Sequence, residues 1–246
     1  MQAASLVLTS YQDSLARSLD IVANNIANSN TTGFKREDIQ FDTVLSRMDS
    51  RESLHFAVDH GTYRDTAQGP MYTTGNPFDI AIQGPGYFPV QTDQGIRYTR
   101  AGALVLNGQG ELVNGAGDLI LGDGDQPITF PEDAQNIHIT NDGVITATSG
   151  SGSDVIQIGK LRAVTFANEQ ELQNVGNSLY STNQTPEPDA KSKIVQGMIE
   201  QSNVRSVNEM TTMIEIMRSY QVTVRLLDTE HKRQKDAIAR LVKATA

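Results

Sequence analysis

Four histidines, His55, His60, His138 and His231, are the side chains of this sequence best suited to binding a metal or moving a proton near neutral pH. None has zinc-ligand spacing, and His55 and His60 would not share a helix face, so ordinary surface histidines are the simpler reading. Gly122-Asp123-Gly124-Asp125 has the Asp/Gly alternation of a calcium loop. Such a loop needs further oxygen ligands and a closing Glu, which this segment lacks, and a turn between strands accounts for it. Gly84-Pro85-Gly86, Gly108-Gln109-Gly110 and Gly115-Ala116-Gly117 are not phosphate cradles, because none precedes a helix with the required Lys or further glycine. No Gly-x-Ser-x-Gly elbow, clustered acid pair or activated nucleophile stands out. Catalytic, cofactor-binding and metal-ligating residues are therefore all read as none, and the chain is not expected to be an enzyme.

Composition excludes further classes. Twenty basic against 29 acidic residues leave a net charge of −9. Non-specific nucleic-acid binding, which rests on neutralising phosphates with Lys and Arg, is not expected. The absence of cysteine removes disulfides and thiolate metal sites. No apolar run approaches the length needed to span a bilayer, so no direct membrane insertion is expected. Leu6 to Leu8 is a short apolar patch with Asp13 and Arg17 close behind, which is not a signal peptide. With 246 residues, 38% of them hydrophobic, the chain suits one large domain or two ordinary ones with a modest core.

The polar residues that do stand out are asparagines, and a helix must position them. Leu15, Leu19, Val22 and Ile26 recur at helical steps, while the other face carries Asp20, Asn24 and Asn28. Asparagine competes with the backbone and is a mediocre helix former, so several beside an apolar seam suggest hydrogen bonds to something else. A helix running into an ordinary polar loop is the local alternative. From Leu6 to Asn28 the apolar positions Leu8, Tyr11, Leu15, Leu19, Val22 and Ile26 make a stripe as narrow as a coiled-coil seam. A helix of that length, roughly 35 Å, is marginal alone and needs a partner helix. Were Gly33 its C′ residue, Phe34 should meet an apolar side chain about a turn earlier, where Asn28 and Ser29 stand. The helix is therefore expected to end near Asn28, with Phe34 packing elsewhere.

The C-terminal segment offers the partner. Ser206-Val207-Asn208-Glu209 reads as a capping box. Val207, Met210, Ile214, Met217, Val224 and Leu227 follow at helical spacing, with Met213, Ile216 and Tyr220 widening the stripe over roughly 50 Å. The methionines suit a packed seam or an adaptable binding face. Lys232, Arg233, Lys235 and Arg240 form a solvated face or a docking face for an acidic surface.

Between the helices, residues 36–72 lack any sustained period and read as an extended connector with one short helix around Asp42 to Met48. Residues 73–190 carry β signals: alternation in Phe78–Ile82, a hairpin turn at Asp93-Gln94-Gly95, and a type I′ turn signal at Asn107-Gly108. A flexible Ser-Gly run (Ser149–Ser153), one helical turn over Glu169–Asn174 and a return linker over Ser181–Ala190 complete the region. The expected fold class is α+β: long N- and C-terminal helices (1–35 and 191–246) paired as a coiled coil, with a central, mostly antiparallel all-β domain.

Asp20-Ile21-Val22-Ala23-Asn24-Asn25-Ile26-Ala27-Asn28 and Thr32-Gly33-Phe34-Lys35 near the N-terminus resemble the bacterial flagellar rod and hook axial protein family. So do Thr74-Gly75-Asn76-Pro77-Phe78-Asp79 through Gly84, Tyr98-Thr99-Arg100-Ala101-Gly102, and Gly197-Met198-Ile199-Glu200-Gln201-Ser202-Asn203-Val204 with Glu209-Met210, Met213-Ile214 and Arg218-Ser219-Tyr220. Only Ile26 departs, where the family usually has Leu. Within the family, the region from Gly75 to Phe88 looks most like proximal rod subunits, with distal rod subunits next. The resemblance implies a structural subunit of the periplasm-spanning rod of the basal body, polymerising into the helical shaft that carries torque from motor to hook. It implies export by the flagellar type III apparatus without a cleaved signal peptide, and partners that are copies of itself and other rod proteins. It implies terminal helices paired in an inner tube, with the β domain outside. The expected assembly interface is Leu15, Leu19, Val22, Asn24, Asn25, Ile26, Asn28, Gly33 and Phe34 at the N-terminal end. At the C-terminal end it is Asn203, Val204, Val207, Met210, Met213, Ile214, Met217, Tyr220 and Val224. A β-rich surface adhesin module that its helices merely oligomerise is the alternative of a different class.

Overall fold

The computed structural model describes residues 2–48, 52–150, 155–189 and 191–244. It divides into a helical unit of Met1–Ala27, Glu37–Asp65 and Arg205–Ala246 and a β unit of Asn28–Arg36 and Thr66–Val204. The side chains of His55 and His60, and the expected Ser-Gly run from residue 151 to 153, lie outside what is described.

The helical unit holds α1 (Gln2–Ala27), the strands β1 (Glu37–Met48) and β2 (Glu52–Arg64), and α2 (Ser206–Ala244). The two helices run antiparallel: Gln12 Nε2 donates to the Tyr220 hydroxyl at 2.9 Å, and Asn25 Nδ2 donates to Glu209 Oε2 at 3.3 Å. On α1, Leu15 and Val22 are buried, as an apolar seam requires. On α2 the covered stripe is Glu209, Met213, Ile216, Tyr220, Thr223 and Leu227, at alternating gaps of four and three. Of the expected stripe, Met213, Ile216, Tyr220 and Leu227 lie on this covered face, whereas Val207 is 76% exposed, Met210 and Ile214 52%, and Met217 47%. Part of the reason is polar. Asn25 is fully buried on α1, and an amide in such a place must find hydrogen-bond partners, which the Glu37 backbone and Glu209 supply.

The short helix expected over Asp42–Met48 is a strand. β1 and β2 pair antiparallel from Glu37↔Arg64 to Met48↔Glu52, with a register shift between Ile39 and Phe41. Phe41, Thr43 and Val44 favour extended backbone, and the facing strand supplies the ladder partners that a lone turn of helix would lack. The expected connector is therefore mostly hairpin.

The β unit begins with β3 (Met71–Thr73), β4 (Ile80–Gln83), β5 (Phe88–Thr92), β6 (Gly95–Thr99), β7 (Val105–Leu106), β8 (Leu112–Val113) and β9 (Leu119–Ile120). It continues with β10 (Ala134–Ile139), β11 (Val144–Ser149), β12 (Val155–Lys160), β13 (Val164–Thr165), β14 (Gln173–Asn174), β15 (Leu179–Ser181), β16 (Glu187–Pro188), β17 (Lys193–Gln196) and β18 (Met198–Glu200). The largest sheet has the order β14-β15-β6-β5-β9-β8-β7, and β10-β11-β12 form a second. β13-β16, β17-β4 and β18-β3 pair separately, and every ladder named here is antiparallel. Ile80, Ile82, Phe88, Val90, Leu104, Ile120 and Ile145 lead one core cluster. Tyr87, Tyr98, Phe166 and Tyr180 form an aromatic one beside Val164 and Leu172.

Asp93-Gln94 turns β5 into β6, with Thr92 opposite Gly95. Asn107-Gly108 is not the two-residue turn its dipeptide signals. The loop runs to Glu111, the Gly110 N–H donates to Asn107 O, and Asn107 Oδ1 accepts from the amides of Gln109 and Glu111. An asparagine side chain capping its own loop has replaced the tight turn. The linker over Ser181–Ala190 contains β16, and one 3₁₀ turn forms at Glu169–Glu171.

Helix α1 ends at Ala27 and Phe34 is buried in the β unit, as the Gly33 argument requires. Residues 28–35, assigned above to the axial helix, thus fold with the β unit.

Candidate assembly site

In the helical unit, Asn25 is the polar centre. Its Nδ2 donates to Glu37 O at 2.8 Å as well as to Glu209, and its Oδ1 accepts from the Glu37 N–H at 3.0 Å. Both ends of the amide are thereby used to fix the start of β1 against α1. Asn24 is exposed, whereas Leu19 and Ile26 are half-buried beside the seam. Half-buried Asn28 belongs to the β unit, where its Oδ1 accepts from Thr31 Oγ1 at 3.2 Å. On α2, Met213, Tyr220 and Val224 are half-buried. Val207, Met210, Ile214 and Met217 leave an apolar strip open to solvent. A separate groove of about 330 Å³ lies among Leu8, Tyr11, Arg218, Val222, Thr223 and Leu226.

In the β unit, Gly33, Phe34, Asn203 and Val204 come together with a charge cluster that sequence reasoning did not single out. Lys35 and Glu200 are each only 1% exposed and Arg100 is 3% exposed. Lys35 Nζ donates to Glu200 Oε1 at 2.6 Å and to Ala67 O at 2.8 Å. Arg100 reaches Glu200 Oε2 through Nε at 3.1 Å and Nη2 at 3.0 Å. Its Nη1 donates to Gly84 O and Gly86 O, and its guanidinium lies over the Tyr87 ring, 5.5 Å from the centroid. The Gly69 N–H donates to Glu200 Oε1 at 2.9 Å. Burial pulls the Lys35 ammonium below its usual range; Glu200 opposes that shift and Arg100 adds to it. Burial pushes the Tyr87 phenol up, helped by Glu169, which accepts its hydrogen bond.

Gly33 explains its own place in the motif. Its φ is +68°, and a Cβ there would stand 2.5 Å from Ala101 N. Only glycine permits both the conformation and the approach. Lys35 and Glu200 were missed because charged side chains are exposed by default. The available signal was their position inside the two motifs, beside Gly33-Phe34 and Ser202-Asn203.

Residues 12–35 match the family model described as "Flagella basal body rod protein". Residues 81–147 match "Flagellar hook protein FlgE/F/G D1 domain", and residues 195–240 match "Flagellar basal body rod FlgEFG protein C-terminal". Lys35, Arg100 and Glu200 each fall in a different one of these segments. A flagellar basal-body rod protein FlgF of Caulobacter vibrioides is 38% identical over 99% of both chains. A FlgG of Agrobacterium fabrum is 33% identical over 93% of this chain and 95% of that one. A FlgF of Mesorhizobium japonicum is 33% identical over 98% of each. On these matches the chain belongs to the flagellar basal-body rod protein family, whose members are structural subunits and not enzymes.

Proposed function

We propose that this chain is a proximal rod subunit, polymerising with its own copies and with other rod proteins into the helical shaft that carries torque from motor to hook. The observation that carries this reading is the open strip Val207, Met210, Ile214 and Met217, which α1 leaves exposed. An ordered apolar stripe on a helix that already has one partner is suited to a second. A tube built from heterologous contacts needs each subunit to offer two different surfaces, and the helical and β units supply them. The four-three spacing of the covered α2 stripe supports pairing with α1 as a coiled coil. Of the interface residues named above, the exposed Asn24, Val207, Met210, Ile214 and Met217 are the contacts this reading assigns to assembly, whereas Leu15, Val22, Asn25, Gly33, Phe34 and Val204 are buried within the chain. The 38% identity to a FlgF across nearly the whole chain supports the proximal position over the distal one. The same reading has the chain leave the cytoplasm through the flagellar export apparatus, with no signal peptide cleaved, and reside in the periplasm-spanning rod.

Tagged protein in purified basal bodies, resolved by cryo-EM of the rod, tests this. Density for the subunit at the motor end is the expected result. Density only at the hook end makes it a distal subunit, and protein found on the outer cell surface instead favours the adhesin reading.

A further inference from the structure

The chain passes between the two units four times, after Ala27, Arg36, Asp65 and Val204. On the β-unit side, these crossings belong to three short passages: residues 28–36, the segment starting at Thr66, and the segment ending at Val204. All three are tied at Glu200. The first is held by Lys35 Nζ on the Glu200 carboxylate and by the Gly33 N–H on Glu200 O at 2.9 Å. The second is held by the Gly69 N–H on Glu200 Oε1 and by Ala67 O, which accepts from Lys35 Nζ and, at 3.1 Å, from Asn203 Nδ2. The third contains Glu200 itself, and Asn203 Oδ1 accepts from the Arg36 N–H at 2.7 Å, joining the last crossing to the second. Arg100 then fastens the node to the body through the carbonyls of Gly84 and Gly86.

Two glycines make this convergence possible. Besides Gly33, a Cβ on Gly69 would stand 2.0 Å from Gln201 O. Apolar packing between such bare passages would tolerate slippage, because dispersion contacts have no fixed partner. A buried carboxylate between two cations is a weak source of net stability, since its desolvation offsets most of the attraction, but it is satisfied in one geometry only.

We infer that Glu200, clasped by Lys35 and Arg100, is the anchor that holds every chain crossing to the helical unit in register on the β body. In a rod subunit, which this inference takes from the reading above, it is the fixed end of the covalent path by which force reaches the body from the helices. Lys35 and Arg100 are positioning residues for that path.

The test is amide hydrogen exchange on the isolated full-length chain, comparing wild type with Lys35→Met and with Leu104→Ala as a core-cavity control. Lys35→Met leaves Arg100 and Glu200 paired one to one. It is expected to raise exchange about tenfold or more in residues 31–36, 66–70 and 197–204 while leaving β5 and β6 unchanged. Leu104→Ala is expected to raise exchange across the body, β5 and β6 included. Unchanged passages in Lys35→Met, or a rise spread evenly over the body, overturns the inference. If Lys35→Met does not fold, Arg100→Lys, which loses the forked contacts, is read the same way; if neither folds, the cluster is core and not anchor, and the inference falls. Because exchange is read on the monomer, absence of the protein from basal bodies would sink the rod reading without touching this result.

Discussion

Gly33 and Lys35 show how much one residue can decide here. Gly33→Ala places a methyl group against the Arg100–Ala101 backbone in a left-handed conformation. It should cost about 2 kcal/mol or more, read from urea unfolding of the full chain. A loss within about 0.5 kcal/mol would show that the passage shifts freely. Lys35 and Tyr87 predict a pH dependence of opposite signs. The folded chain holds the Lys35 proton less tightly than the unfolded chain, where the ordinary value is 10.5. The stability from this group is therefore full above 10.5 and is lost as pH falls towards the lowered folded value. Tyr87 is the reverse: its folded state holds the proton more tightly, so its contribution declines as pH rises past 10.0. Stability should climb on the alkaline side to about pH 10 and then fall, and Lys35→Met should remove the climb. A midpoint of unfolding that ran flat from neutral pH to that point in the wild type would contradict the assignment.

At the scale of elements, α2 carries two stripes, one covered in the helical unit and one exposed. Val22 is buried on α1, so Val22→Asp places a charge inside the helix pair and should cost about 3 kcal/mol or more in the monomer. Ile214 is half exposed, and Ile214→Asp should change monomer stability by no more than about 0.5 kcal/mol while abolishing motility. Swimming cells with a normal rod in the Ile214→Asp strain would remove the open strip from the interface. The β1–β2 hairpin is a second dependent element. Two strands alone are marginal in water, and in the helical unit α1 lies against both of them.

For the whole molecule, the two helix contacts set a register. Gln12 meets Tyr220 and Asn25 meets Glu209, so Gln2 falls opposite about residue 231, leaving roughly the last three turns of α2 beyond α1. Those turns carry Lys232, Arg233, Lys235 and Arg240, all exposed. Amide exchange in residues 232–244 should be fast in the monomer and slow in assembled rods. Strong protection of that segment in the free monomer would mean that the helix is complete without neighbours. The docking role weighed for its basic face would then lose its support.

The sequence by itself determined what local chemistry controls: the seam through Leu15 and Val22, the end of α1 before Phe34, most strand positions, and the absence of any recognisable catalytic motif. These depend on hydrophobic period and turn residues a few positions apart, which one chain displays openly. It misread Asn107-Gly108 because a side-chain cap outweighed a dipeptide preference, and residues 42–48 because a hairpin's partner lies on another segment. Only the tertiary structure decided which face of α2 meets α1, with Glu209 sharing the buried Asn25 amide with Glu37 O. It alone brought Lys35 to Glu200 across 165 positions of chain. Charge is expected to face water, so residue type argued against burial of these ions; their burial follows from the convergence of the surrounding passages.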